Sequence, residues 1–241
     1  MIRGHNKKRL TADVITRVKH PADEETLANE RPEDVIEALE PVLTGHRKDV
    51  IEQVVSRRTK ILHIAVEGVH DPHNTAAILR TADAYGVLNV HIIEGNSKFR
   101  SSAAVTQGAH KWLDISVYKD TVQFISAMHS QKIKVLAAAM EGAIEIDQVN
   151  SFDPVVLVFG NEAEGISDTM LKLCDGVFKI SMFGFVESFN VSVAAAISMA
   201  TLRSKGTGDL SEFEQSVLKA RYYFRSVRGG VEIVKNSLNC R

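Results

Sequence analysis

The stretch ILHIAVEGVHDPHNTAAILRTADAYGVLNVHIIEG, residues 61–95, decides the fold. Its first nine residues are a β-branched, apolar run that breaks into the polar HDPHN of residues 70–74, the pattern of a buried strand entering a loop. TAAILRTADAY then reads as a helix, with Gly86 placed to close it and Asn74 placed to cap it. VLNVHIIEG is a second short strand. Strand, helix and strand at this spacing imply a parallel pair, because parallel strands need a crossover of a dozen or more residues.

The alternation continues outward. We expect strands at 113–118, 134–140, 154–159 and 177–182, and helices at 120–132, 165–174 and 190–204. This is an α/β chain with a mostly parallel sheet and helices on both faces. Before the sheet, Val35, Ile36, Leu39 and Leu43, then Val50, Ile51, Val54 and Val55, have the three-and-four spacing of two amphipathic helices. After it, Phe213, Val217, Ala220, Phe224 and Val227 mark another helix. The expected organisation is a helical extension at 1–60, a central unit at 61–204 and a helical tail at 205–241. The run Arg221-Tyr222-Tyr223-Phe224-Arg225 is aromatic and basic together, which suits helix packing or a platform for RNA bases.

Composition narrows the class. The 241 residues are 44% apolar and 24% charged with 5 Pro and 15 Gly, which excludes collagen-like and wholly disordered chains. Cys174 and Cys240 are too few for a disulfide framework and lack metal-ligand spacing, so a reduced cytoplasmic protein is expected. No stretch approaches the roughly 20 apolar residues of a membrane span, and the first twenty residues are basic without an apolar core. The net charge of −1 hides an uneven distribution. Residues 1–20 carry six Lys/Arg against one acid, 21–44 one against eight, and 203–241 eight against four. Basic ends around an acidic middle are compatible with a polyanion gripped by both termini, and equally with solvated helix faces.

Standard nucleotide motifs are missing. The one G-x-G, Gly206-Thr207-Gly208, follows a helix and has no third glycine, and no P-loop pattern occurs. His70 and His73 lack further candidate ligands, so no metal is expected. Three strand-to-loop junctions do carry unusual polar groups. HDPHNTAAILR holds Asn74 and, well inside the helix, Arg80, a guanidinium among apolar residues that would need an anion if buried. VVLVFGNEAEGIS delivers Gly160, Glu162 and Glu164 at the start of the next helix, where two carboxylates would repel a phosphate but suit hydroxyls or a cation. KISMFGFVESFNVS ends in Ser188 and Asn190 before a small-residue helix. Each junction lies where open α/β sheets bind ligands, beyond the carboxyl ends of their strands.

In this order and spacing the three junctions resemble motifs 1, 2 and 3 of the SpoU branch of the SPOUT methyltransferases, in particular its tRNA guanosine-2′-O-methyltransferase group, TrmH. The similarity runs from Ile61 to about Leu202, takes in GAHKW at 108–112, and extends into RYYFRSVRG at 221–229. The resemblance implies a SPOUT fold with a C-terminal trefoil knot, which periodicity alone could not suggest. It implies S-adenosyl-L-methionine as cofactor, methyl transfer to a ribose 2′-hydroxyl, and a homodimer through the knotted region. Position by position, it implies catalytic roles for Asn74, Arg80, Glu162, Ser188 and Asn190. Phe159, Gly160, Asn161, Glu162, Gly165, Ile180, Met182, Ser188, Phe189 and Asn190 would hold the cofactor. Motif 3 here has Glu187 and Phe189 where Gln and Leu are usual, with Ser188 and Asn190 in place.

For Arg80, clamping an RNA phosphate and steadying the forming alkoxide is favoured over acting as a base, since taking a proton from a guanidinium at neutral pH costs roughly 7 kcal/mol. The RNA-binding candidates are Arg9, Arg57, Arg58, His110, Lys111, Arg221, Arg225 and Arg228. Only about sixty residues precede the first core strand, which favours tRNA, at guanosine 18 of the D-loop by resemblance, over 23S rRNA. A non-catalytic RNA-binding protein of the same fold is the alternative from another class.

Overall fold

The computed structural model describes residues 16–17, 30–69, 71–94, 108–140, 144–150, 152–161, 163–204 and 206–239. Eight strands form one sheet among them: β1 (Thr16–Arg17), β2 (Thr59–Glu67), β3 (Val87–Ile93), β4 (Asp114–Tyr118), β5 (Lys134–Ala138), β6 (Ile144–Glu145), β7 (Val155–Phe159) and β8 (Gly176–Lys179). Their order is β1-β4-β3-β2-β7-β5-β8-β6. Every pairing is parallel except that of β1 with β4. The parallel sheet anticipated from residues 61–95 is therefore present.

The helices are α1 (Pro32–Leu39), α2 (Gly45–Val55), α3 (Pro72–Ala84), α4 (Thr121–Ser130), α5 (Asp168–Leu173), α6 (Val191–Leu202), α7 (Glu212–Ser226) and α8 (Gly230–Asn239). Side-chain alternation along β2 sorts them into layers. Leu62, Ile64 and Val66 pack with Ile78, Leu79 and Ala82 of α3 and with Val191, Ala195 and Met199 of α6. Ala65, with Val156 and Val158 of β7, packs on the other face against Phe124, Ile125 and Met128 of α4 and Met170 of α5.

A third cluster joins the two ends of the chain. Val35 and Leu39 of α1, Ile51 and Val55 of α2, Leu218, Tyr222, Tyr223 and Phe224 of α7 and Val234 of α8 are buried together. Tyr222, Tyr223 and Phe224 are thus core residues, and of the run 221–225 only the basic residues remain for RNA. Tyr222 donates to the Trp112 carbonyl at 2.6 Å, and burial pushes its phenol up to about 12.

Under the sheet surface lies a polar chain. His63 Nε2 is 2.8 Å from the Lys60 carbonyl, and His63 Nδ1 is 2.8 Å from His91 Nε2. Since Nε2 of His63 must donate to a carbonyl, His91 donates to Nδ1 of His63, and Tyr118 OH at 3.4 Å completes the chain at His91 Nδ1. Burial holds both imidazoles below their ordinary value, His91 far below it.

Candidate active site

A cavity of about 440 Å³ opens at the carboxyl ends of β5, β7 and β8. Ala138–Met140 end and follow β5, Phe159–Asn161 end and follow β7, and Lys179, Ile180 and Met182 end and follow β8; Ser188–Asn190 before α6 and Val191 and Ala194 within it close the cavity. Its walls are mainly apolar, with polar groups at Asn161, Lys179, Ser188 and Asn190. Ligand cavities of open α/β sheets occupy this position.

The loop after β7 is built by Asn161. Its backbone exchanges two hydrogen bonds with Gly165, at 3.0 and 2.9 Å. Its Oδ1 accepts from the Ala163 and Glu164 N–H groups, and its Nδ2 donates to the Gly68 carbonyl at 2.9 Å. This turn brings Gly165, at φ +70°, so near Gly160 that a Cβ on Gly160 would lie 2.2 Å from the Gly165 carbonyl oxygen. Only glycine fits there. Below the turn, buried Glu67 at the end of β2 accepts from Thr121 Oγ1 at 2.5 Å and from Ser167 N and Oγ at 3.0 and 2.8 Å. Ser167 is itself the cap of α5, so Glu67 ties that helix start to the sheet.

The loop after β8 is organised differently. Between Ser181 and Phe189 no backbone group pairs with the backbone of a described residue. Backbone donors and acceptors are obligatory hydrogen-bonding groups, so this loop presents them to solvent or to a ligand. Asn190 ends the loop as the cap of α6, accepting from Ser192 N at 2.9 Å and Ser192 Oγ at 2.6 Å. Its Nδ2 donates to Asn74 Oδ1 at 3.1 Å, joining the first and third junctions across 116 residues. Ser181 Oγ donates to Glu145, which also pairs with Lys179 at 3.4 Å on the cavity wall.

Of the residues expected to hold a cofactor, Phe159, Gly160, Asn161, Gly165, Ile180, Met182, Ser188, Phe189 and Asn190 all line the cavity. Glu162 lies outside the described residues. Ala138–Met140 also line it and were missed, because nothing in the run after β5 carries a polar signal.

Several expectations need correction. Asn74 does not cap α3: Asp71 does, accepting from His73 N at 2.8 Å with Pro72 in the first turn, while Asn74 Oδ1 accepts from Asn190. Glu164 is not at a helix start, since α5 begins only at Asp168 and Glu164 sits exposed in the Asn161–Gly165 turn. Arg80 is exposed rather than buried, has no hydrogen bond or salt bridge among the described residues, and does not line the cavity of its own chain. It does share the sheet face of α6, because α3 and α6 pack together.

The RNA candidates divide in the same way. Arg58 is 0% exposed, its Nη2 2.5 Å from Asp83 Oδ1 and its Nη1 donating to the Asp83 carbonyl, so it is no surface phosphate contact. Arg221 pairs with Asp114 at 2.5 Å, and Arg225 donates to the Lys111 carbonyl. His110 is half-buried; Arg57, Lys111 and Arg228 are exposed; Arg9 lies outside the described residues. Among the described residues no group of three or more His, Cys, Asp or Glu could hold a metal ion, and no helix is long and apolar enough to cross a membrane.

Residues 61–200, which hold this parallel sheet and both cavity loops, match the SpoU rRNA Methylase family model. The chain belongs to that family. It is 39% identical over 155 residues to the tRNA (guanosine(18)-2'-O)-methyltransferase of Thermus thermophilus, covering 64% of this chain and 80% of that one. It is 31% identical over 210 residues to the protein of the same name from Borreliella burgdorferi, covering 85% and 96%. Among solved structures it is similar to the A. aeolicus TrmH/SpoU tRNA modifying enzyme, with TM-score 0.66, 30% identity and coverage of 76% and 98%.

Proposed function

We propose that this chain transfers a methyl group from S-adenosyl-L-methionine to a ribose 2′-hydroxyl of tRNA, at guanosine 18 of the D-loop. One observation carries the reading: the cavity walled by the Gly160–Gly165 turn and the Ile180–Asn190 loop opens beside the Asn74–Asn190 hydrogen bond. Its donor set suits the cofactor. Apolar walls from Phe159, Phe178, Ile180 and Phe189 match an adenine ring, and the backbone groups of the loop after β8, unpaired among the described residues, can meet its edge. Lys179, Ser188 and Asn161 offer polar partners for the sugar and the amino-acid end. When bound, the cofactor supplies an electrophilic methyl group on a positively charged sulfur.

The remaining work falls to the chain's own residues. Asn190, fixed by Ser192 and Asn74, orients groups at the cavity mouth, and orientation is a large part of catalysis when the nucleophile is a poor one. Arg80, free of protein partners among the described residues, clamps an RNA phosphate and stabilises negative charge on the 2′-oxygen as it takes the methyl group and gives its proton up to solvent. The exposed cations Arg57, Lys111 and Arg228 extend the grip on RNA.

The protein acts in the cytoplasm as a homodimer through the segment between β7 and α6, which threads as a trefoil knot. Supporting the dimer, Phe183 and Phe185 stand bare in the loop after β8, and Val186 in that loop and Val193 on α6 are exposed too. The test is transfer of labelled methyl to unmodified tRNA, with 23S rRNA in parallel, followed by mapping of the modified ribose. Label at guanosine 18 supports the reading; label on rRNA alone, or none, overturns it.

A further inference from the structure

The end of β2 grips both ends of the turn that walls the cavity. The Gly68 carbonyl accepts from Asn161 Nδ2 at 2.9 Å, where the turn begins. The carboxylate of neighbouring Glu67 accepts from Ser167 N and Oγ, just past the point where the turn closes. Gly160, Asn161, Gly165 and Ile166, beside and between these anchors, line the cavity. The same strand end runs on towards α3, which carries Asn74 and Arg80. Two adjacent residues thus stand between the wall of the cavity and the helix that faces RNA.

Glu67 reaches the turn from beneath. Side chains alternate along β2, so Glu67 shares the face of Ala65, where α4 and α5 pack, and it does not line the cavity. It is 6% exposed and pairs with no cation among the described residues. A carboxylate buried in that way is costly unless donors surround it. Here three do. Ser167 N, which can only donate, meets one oxygen, while Ser167 Oγ and Thr121 Oγ1 meet the other. Ser167 Oγ already accepts from Met170 N at 3.1 Å, which leaves its own hydrogen for Glu67. Thr121 is the first residue of α4, so that helix braces the carboxylate in turn. A glutamine in its place would set its amide nitrogen against one of these donors in either orientation.

We infer that Glu67 is a positioning residue of the methyl transfer. Acting through Ser167, it sets where the cofactor wall stands relative to the hydroxyl delivered over α3, and small displacements of reacting groups are expensive in rate. The inference rests on the functional reading above. It is tested by cofactor calorimetry and tRNA kinetics on Glu67→Gln, Thr121→Val and Ser167→Ala, at positions that do not line the cavity.

Glu67→Gln, nearly unchanged in shape, should weaken S-adenosylmethionine binding about ten-fold and lower kcat about ten-fold, with KM for tRNA within about two-fold of wild type. Thr121→Val removes only the brace and should move both quantities the same way by about three-fold; it decides alone should Glu67→Gln not fold. Because Glu67 acts through Ser167, adding Glu67→Gln to Ser167→Ala should cost less than about two-fold more in cofactor affinity. A merely structural tie would lower the urea midpoint and leave kcat alone. Wild-type affinity and kcat in Glu67→Gln and Thr121→Val overturn the inference, as do effects of Glu67→Gln and Ser167→Ala that simply multiply. Failure of the wild-type protein to bind S-adenosylmethionine overturns the functional reading instead.

Discussion

Around the cavity at the ends of β5, β7 and β8, polar groups are left open; in the helical cluster that joins the two chain ends, they are closed. Backbone groups from Ser181 to Phe189 find no backbone partner among the described residues, and Arg80 nearby has no partner among them either. In the cluster, Arg58 is committed to Asp83, Arg221 to Asp114, and Arg203 to the carbonyls of Tyr85, Arg57 and Thr207. Burial lowers the proton affinity of Arg203, yet three carbonyls hold it in place. The contrast separates arginines that act on a ligand from arginines that hold the fold, and composition alone cannot distinguish them. The fully buried guanidinium of Arg58 belongs to the second group, although one of its nitrogens is left over.

Substitutions can break this contrast. The largest effect is expected at Gly160, where any side chain meets the Gly165 backbone. Gly160→Val should weaken S-adenosylmethionine binding by about 100-fold or more, roughly 2.7 kcal/mol, in calorimetry, with the circular dichroism of the sheet retained. A comparable change in the cluster should act on stability instead. Arg58→Met breaks a pair whose carboxylate is 33% exposed, so the several kcal/mol of a buried pair is discounted to about 2–3 kcal/mol, read from the urea midpoint. Cofactor affinity should be unchanged in that variant.

A smaller effect follows from the imidazole pair. His63 and His91 are held neutral in the fold chiefly by burial, whereas the unfolded chain takes up protons near pH 6.5. Between those values the unfolded state binds more protons, so stability is full above about pH 6.5 and falls as pH drops below it. Melting temperatures measured from pH 7.5 to 5 should decline on the acid side, and His91→Asn, although less stable at pH 7, should flatten the slope. In folding stability the smallest change belongs to Asn190→Ala. It removes the cap of α6, about 1 kcal/mol in urea, together with the bond to Asn74.

The parallel sheet was legible because strand and helix periods alternate cleanly from Ile61 to Leu202, and the cavity loops were legible because each junction keeps its polar residues within a few positions. What failed to show in sequence was tertiary. Asn74 has the chemistry of a cap, but Asp71 with Pro72 behind it starts the helix earlier. Arg80 interrupts an apolar pattern, yet it falls on the solvent side of α3; Arg58 sits in a basic run, yet neighbouring Thr59 opens β2 and turns it inward onto Asp83. Aromatics of the tail signalled bulk without saying that α1 and α2, nearly two hundred residues earlier, would cover them.

Whether an exposed arginine outside the cofactor cavity carries the chemistry is decided by pairing methyl transfer with cofactor calorimetry in Arg80→Ala and Arg80→Lys. Turnover on tRNA should fall about 100-fold or more in both variants. Cofactor affinity should stay within about two-fold and the melting temperature should not move, since nothing among the described residues leans on that side chain. Near-wild-type turnover in Arg80→Ala, or loss of cofactor binding along with activity, would contradict it.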